Sequence, residues 1–165
     1  MIEWVHPMSD DIQRLRRDLT DAIADPAWPA GFSTRTFTAE DAPAVHRLMT
    51  LGYARGGGSV GAFDQWWPAV RDDGEFDAEL CFLALDASGE IAGVAQCWTS
   101  AFIKDLVVHP DARRRGIAEA LLHTAFQAFR RRGARHVDLK VQTDNPSGAV
   151  RLYRRLGMRD VPIDG

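Results

Sequence analysis

The run "DLVVHPDARRRGIAEALLHTAFQAF", Asp105 to Phe129, limits the fold more than any other stretch of the chain. A β-favouring apolar segment around Leu106 to Val108 is stopped by Pro110. A helical pattern then runs from Gly116 to Arg132, with Ile117, Leu121, Ala125 and Phe129 on one face and Leu122 and Phe126 beside them. Gly133 stands where a helix commonly ends in a left-handed residue. A strand that passes through a short turn into an amphipathic helix belongs to a layered α/β domain.

The turn itself is the unusual part. It crowds Arg113, Arg114 and Arg115 against Gly116. A lone basic triplet is by default a solvated turn, but this one precedes a helix. The first amides of a helix lack intrahelical acceptors, and its dipole adds about half a positive charge there. Such an end accepts phosphate or pyrophosphate. Gly116 and Ala118 carry too little bulk to keep phosphate oxygens from the backbone, glycine tolerates a positive φ, and the arginines can add charge-assisted contacts. The familiar nucleotide loops are missing: there is no GxxxxGK[ST] and no GxGxxG after a strand.

Around this unit the spacing predicts a helix over Asp10 to Ala24, from the stripe Ile12, Leu15, Leu19 and Ile23, and then a break at "DPAWPAG". "FSTRTF" reads as a strand. A helix capped by Thr38 carries Val45, Leu48 and Met49 inward. A glycine-rich loop, "RGGGSVG", precedes a short helix, "FDQWWPAVRDD", with Pro68 in its first turn. "ELCFLALD" and "EIAGVAQCWT" form a hairpin, "AFIKDLVVHP" a further strand, and "ARHVDLKVQT" another after the long helix. "NPSGAVRLYRRLG" reads as a last helix, with Asn145 as cap, Pro146 in the first position and Gly157 just past the end; "MRDVPI" closes the chain as a short strand. The expected order is β-α-α-β-β-β-α-β-α-β after the extra helix: a mixed α/β sheet with helices on both faces. Residues 1–31 are expected as a helical extension packed on a single domain, 32–165.

Composition narrows the function. With 165 residues, a net charge of −3 and a pI near 5.9, no global field draws the chain to nucleic acid or an anionic membrane. Cys81 and Cys97 sit in apolar runs and fit no metal spacing, so buried reduced thiols and no metal are expected. Neither a signal peptide nor a membrane span is legible, which points to a cytoplasmic protein.

Two motifs carry a resemblance. Arg113-Arg114-Arg115-Gly116-Ile117-Ala118 matches Q/R-x-x-G-x-G/A, and Asn145, Ala149, Leu152, Tyr153, Gly157 and Met158 match N-x-x-A-x-x-L-Y-x-x-x-G-F/M. Together, over Phe32 to Met158, the chain resembles the GCN5-related N-acetyltransferase (GNAT) superfamily. The resemblance implies a mostly antiparallel sheet whose central strands splay. Acetyl-CoA would lie in the V, its pantetheine arm on the backbone of Leu106, Val107 and Val108, and its pyrophosphate on the amides of Arg113 to Ala118. Asn145 would hydrogen-bond the pantetheine arm, Tyr153 would meet the thioester sulfur as the acid, and an amide near Val107 would serve the developing oxyanion. The implied reaction is acyl transfer to a primary amine of a small molecule or peptide.

An alkylamine near pKa ~10 is protonated at pH 7, so the proton must be removed either by desolvation or by a base. Strict alternation would put Ile103, Asp105 and Val107 on one face of their strand and Lys104 on the other. Asp105 matches the second acid of an "ED" pair found in relatives, whereas Lys104 replaces the first; Asp105 is the candidate base, ahead of His109 and His46. Trp66, Trp67 and Asp64 are candidates to line an acceptor pocket. Lys104 also leaves open a rival reading, a CoA-binding regulatory module without transfer. Only seven residues follow Met158, so the sheet edge is expected to be short, covered by the N-terminal helix, or completed by a second subunit in a homodimer.

Overall fold

The structure, a computed structural model, describes residues 12–143 and 148–165. A seven-stranded sheet carries two helices on each face. The strands are β1 (Ile12–Asp18), β2 (Ser33–Thr36), β3 (Phe76–Leu85), β4 (Ile91–Trp98), β5 (Phe102–Val108), β6 (His136–Gln142) and β7 (Arg159–Val161). The helices are α1 (Ala42–Gly52), α2 (Phe63–Arg71), α3 (Ile117–Arg131) and α4 (Ala149–Arg155). The sheet order is β2-β3-β4-β5-β6-β1-β7, and every pairing is antiparallel except β5 with β6.

Two apolar layers sandwich the sheet. On one face Val45, Leu48 and Met49 of α1 and Trp66 and Val70 of α2 pack on Leu83, Val94 and Val107. On the other, Ile117, Leu121, Phe126 and Phe129 of α3 meet Leu80, Phe82, Ile103 and Leu139. The inner face read from the sequence of α3 is the buried one. Its end is closed as expected, with Gly133 at φ +87° and the Ala134 amide donating to the Phe129 carbonyl at 3.0 Å.

The N-terminal helix is not formed: its described core, residues 12–18, is a strand. The spacing of Ile12, Leu15 and Leu19 mimics a helical stripe, but the alternation around Leu15 has period two, and an open edge of β6 decides between them. β1 pairs with β6 from Ile12↔Gln142 to Asp18↔His136 and with β7 from Arg14↔Val161 to Arg16↔Arg159. Leu15 is buried in the core. Arg14 and Arg16, two positions apart and so on one face, both hydrogen-bond the buried Asp138 at 2.8 Å. The N-terminal segment expected to cover the sheet edge as a helix instead extends the sheet as β1, with β7 beyond it.

Two details of the helices also differ. Pro68 falls in the second turn of α2, since the helix starts at Phe63 as expected and a turn takes fewer than four residues. The last helix is described from Ala149, after Gly148 at φ +78°, which a right-handed helix cannot include, and the first position expected at Pro146 lies outside the described residues. Among the described residues no helix is long and apolar enough to cross a membrane.

Candidate functional site

β5 and β6 run in parallel but pair only at Phe102↔Asp138 and Ile103↔Leu139. Beyond Ile103 they diverge, and a cleft of about 770 Å³ opens between them. Its walls come from the C-terminal half of β5, the arginine turn and the start of α3, the middle of β6, α4, and the loop after α1. The splay follows from what each strand must bury: beyond the fork β5 stays paired with β4, as in Val94↔Val107, while β6 stays paired with β1.

At the head of the cleft the turn behaves as the sequence suggests. Gly116 has φ +88°, a conformation favouring glycine, and caps the 15-residue α3. A Cβ placed there would meet nothing within 4 Å, so the space before the helix end is open. Arg114 also takes a positive φ, +65°. Left-handed residues interleaved with others in a turn aim successive amides toward a common concavity. Arg113, Arg114, Gly116, Ile117 and Ala118 line the cleft; Arg115 does not. The Arg113 guanidinium reaches back to the carbonyls of Val108 (3.3 Å) and Gly52 (3.4 Å), tying the turn to the end of α1.

Leu106, Val107 and Val108 form the β5 wall. Tyr153, on α4, lines the opposite wall and is 7% exposed. Burial pushes its phenol up to about 12, so it is protonated at neutral pH and able to donate. Asn145 lies outside the described residues. Lys140 of β6 and Arg155 of α4, which the sequence reading did not single out, add positive charge to the same cleft.

β5 departs from simple alternation. Cys97 pairs with Ile103 but Gln96 pairs with Asp105, so Lys104 is an extra, bulged residue. The bulge reverses the faces downstream. Ile103, Leu106 and Val108 share the α3 side, while Val107 faces α1, so Ile103 and Val107 do not share a face as strict alternation requires. Asp105 also turns to the α1 side. It is 8% exposed and does not line the cleft. Its Oδ1 accepts a hydrogen bond from the Tyr53 hydroxyl at 2.6 Å, and its Oδ2 accepts one from the Lys104 ammonium at 3.0 Å.

Tyr53 was missed in the sequence. It is the residue after α1, and it reaches Asp105 because Gly52 lets the helix end settle on β5: a Cβ on Gly52 would lie 2.2 Å from Val107 Cγ1. Gly58 of the glycine-rich loop packs on the Tyr53 ring with the same economy of space, since a Cβ there would sit 2.7 Å from the ring. The only available signal was "LGYARGGG", an aromatic between glycines at a helix end. Tyr53 lines the cleft, as does Lys104.

A second cavity of about 360 Å³ abuts the first at Lys104 and is walled by Trp66 and Trp98. Trp67 is packed instead on Phe37 and Phe76, and Asp64 does not line it. His46 hydrogen-bonds the Gly61 carbonyl at 2.7 Å and His109 Nδ1 accepts from the Asp111 amide at 3.0 Å, which gives both a local structural part. Among the described residues no cluster of His, Cys, Asp or Glu could hold a metal ion.

Comparison with known proteins decides the family. The family model described as "Acetyltransferase (GNAT) family" matches residues 30–158. The chain belongs to the GNAT acetyltransferase family. Among curated relatives of this GNAT chain, a mycothiol acetyltransferase of Clavibacter michiganensis is 32% identical over 166 residues, covering 93% of the chain and 52% of the relative. A streptothricin acetyltransferase of Streptomyces lavendulae is 35% identical over 97 residues, covering 56% of the chain and 51% of the relative. A crystal structure of a GCN5-related N-acetyltransferase from Sphaerobacter thermophilus superposes with a TM-score of 0.80 at 33% identity, covering 91% of the chain and 48% of that structure. The GNAT chain thus spans about half the length of the curated relatives it matches.

Proposed function

We propose that this chain transfers the acetyl group of acetyl-CoA to a primary amine of a small molecule or peptide. One observation carries the reading: an open helix N-terminus at Gly116 stands at the head of a cleft made by two diverging strands. The cradle fits a diphosphate, since it combines left-handed backbone at Arg114 and Gly116 with the guanidiniums of Arg113 and Arg114. The diverging β5 edge at Leu106, Val107 and Val108 suits an extended amide-bearing arm laid along it as an added strand. Arg115 lies outside the cleft, and its role on this reading is to add positive charge nearby. Asn145 is assigned to the same arm from the family motif alone.

Acetyl-CoA, when bound, supplies an activated thioester; the protein supplies position and proton handling. Tyr153, kept protonated by burial, donates toward the departing thiolate. The peptide N–H at Val107 is the donor assigned to the oxyanion. The cavity walled by Trp66 and Trp98 is assigned to the acceptor, because it meets the cofactor cleft at Lys104. The relatives named for mycothiol and streptothricin make a small-molecule amine the first acceptor class to test.

Turnover of acetyl-CoA against a panel of amines, followed by release of free thiol, tests this reading. Acceptor-dependent thiol release is the expected result. CoA binding with no turnover on any amine would favour a regulatory CoA-binding module instead.

A further inference from the structure

The amine has to lose a proton before it can attack, and the carboxylate expected to take it does not face the cleft. Asp105 lies behind the wall, with both oxygens engaged. The group that does face the cleft is Tyr53, whose hydroxyl donates to Asp105 Oδ1 at 2.6 Å. We propose that Tyr53 and Asp105 form a two-step proton relay, with Tyr53 as the catalytic residue that meets the acceptor's amine where it enters the cofactor cleft and Asp105 as the positioning residue and final proton acceptor behind it. The proposal rests on the acetyl-transfer reading and deepens it.

The step balances. The ammonium proton passes to the Tyr53 oxygen as the Tyr53 hydroxyl proton passes to Asp105 Oδ1. Tyr53 is neutral before and after, Asp105 becomes the neutral acid, and the amine keeps the lone pair that forms the bond to the acetyl carbon. The Asp105 proton later leaves to solvent.

Three observations favour a relay over a simple structural hydrogen bond. First, burial and the adjacent Asp105 charge push the Tyr53 phenol far above its ordinary range, so a free tyrosinate is not available as the base and a concerted hand-over is required. Second, the arrangement is built by close fits: the bulge at Lys104 turns Asp105 toward α1, Gly52 brings α1 onto β5, and Gly58 closes on the phenol ring. Third, Tyr53 shares the cleft with Tyr153, whose phenol lies near enough to push the Tyr53 phenol further up. One tyrosine then serves the incoming amine and the other the outgoing thiol.

The charged and titratable groups around Asp105 are few. Lys104 comes from its own strand, Tyr53 from the end of α1, Cys97 from β4 and Cys81 from β3, while Gln96 stands opposite in register. Burial raises both thiols, so neither carries charge at neutral pH. Lys104 holds Oδ2 and so leaves Oδ1 as the oxygen on the proton path.

The test uses the intact chain and two acceptors: an alkylamine that the wild-type chain acetylates, and its β,β,β-trifluoro analogue, which is mostly neutral at pH 7. Tyr53→Phe and Asp105→Asn are each expected to slow transfer to the alkylamine roughly a hundredfold at pH 7. The double variant should be no slower than the slower single one. The deficit should shrink as pH approaches the pKa of the alkylamine, and transfer to the trifluoro amine should be nearly unchanged. An equal loss on both acceptors, or no loss on either, would overturn the relay; an equal loss marks a structural role, which thermal melting of the variants would register as well. If the wild-type chain acetylates no amine, the acetyl-transfer reading fails and the relay with it.

Discussion

The two walls of the cleft are made in different ways. The wall that faces the proposed diphosphate is one contiguous run, from Leu106 through the arginine turn to Ala118. The facing side of the cleft is assembled from afar: Tyr53 meets Asp105 across 52 positions, and the β6 arm is steadied by arginines more than a hundred positions from Asp138. A contiguous wall keeps its chemistry wherever the helix behind it packs. An assembled wall depends on fits between elements, so small changes far from the cleft should disturb it.

Three substitutions sharpen that contrast. The largest effect is expected at Asp138, which is 2% exposed and holds both Arg14 and Arg16 where the two strands begin to diverge. Asp138→Ala should cost about 3 kcal/mol in chemical denaturation. Burial raises the Asp138 carboxyl, but the hydrogen bonds from Arg16 and Arg14 outweigh it and hold the group below the usual carboxylate range. Its stabilisation should therefore be complete at neutral pH and be lost as pH falls from about 4 downward, a loss absent from Asp138→Ala.

Gly52→Ala is next. The added methyl overlaps Val107 Cγ1, so α1 must lift from β5, at a cost of roughly 1–3 kcal/mol. It should slow transfer to protonated amines while leaving CoA affinity within a few-fold; a variant losing CoA binding first would break the distinction between the walls. Tyr153→Phe should act least on the fold and reduce turnover about tenfold, equivalent to about 1.4 kcal/mol, with CoA affinity preserved.

The same contrast explains what the sequence disclosed. The arginine turn, Gly116 and α3 were legible because their signals are local: an apolar period, a stop, a glycine at the cap. Tyr153 came with its motif. The N-terminal strand was misread because Ile12, Leu15 and Leu19 fit a helix in isolation, and only the free edge of β6 makes them a strand. Asp105 was singled out and grouped rightly with Val107, but its separation from Ile103 was not legible, since a one-residue bulge leaves no local mark in "FIKDLVV". Tyr53 stayed hidden because its importance lies in a partner on another element.

The central claim is that the amides and arginines around Gly116 grip the diphosphate of coenzyme A. Calorimetric titration of CoA into the wild-type chain and into Gly116→Val, with melting curves to confirm folding, tests it most directly. A branched side chain is strained at φ +88° and fills the open space before α3. The account predicts micromolar or tighter binding to the wild type, about 8 kcal/mol or more, and at least a tenfold loss in the variant. No measurable CoA binding by the wild-type chain, or equal affinity in a folded Gly116→Val, would contradict it.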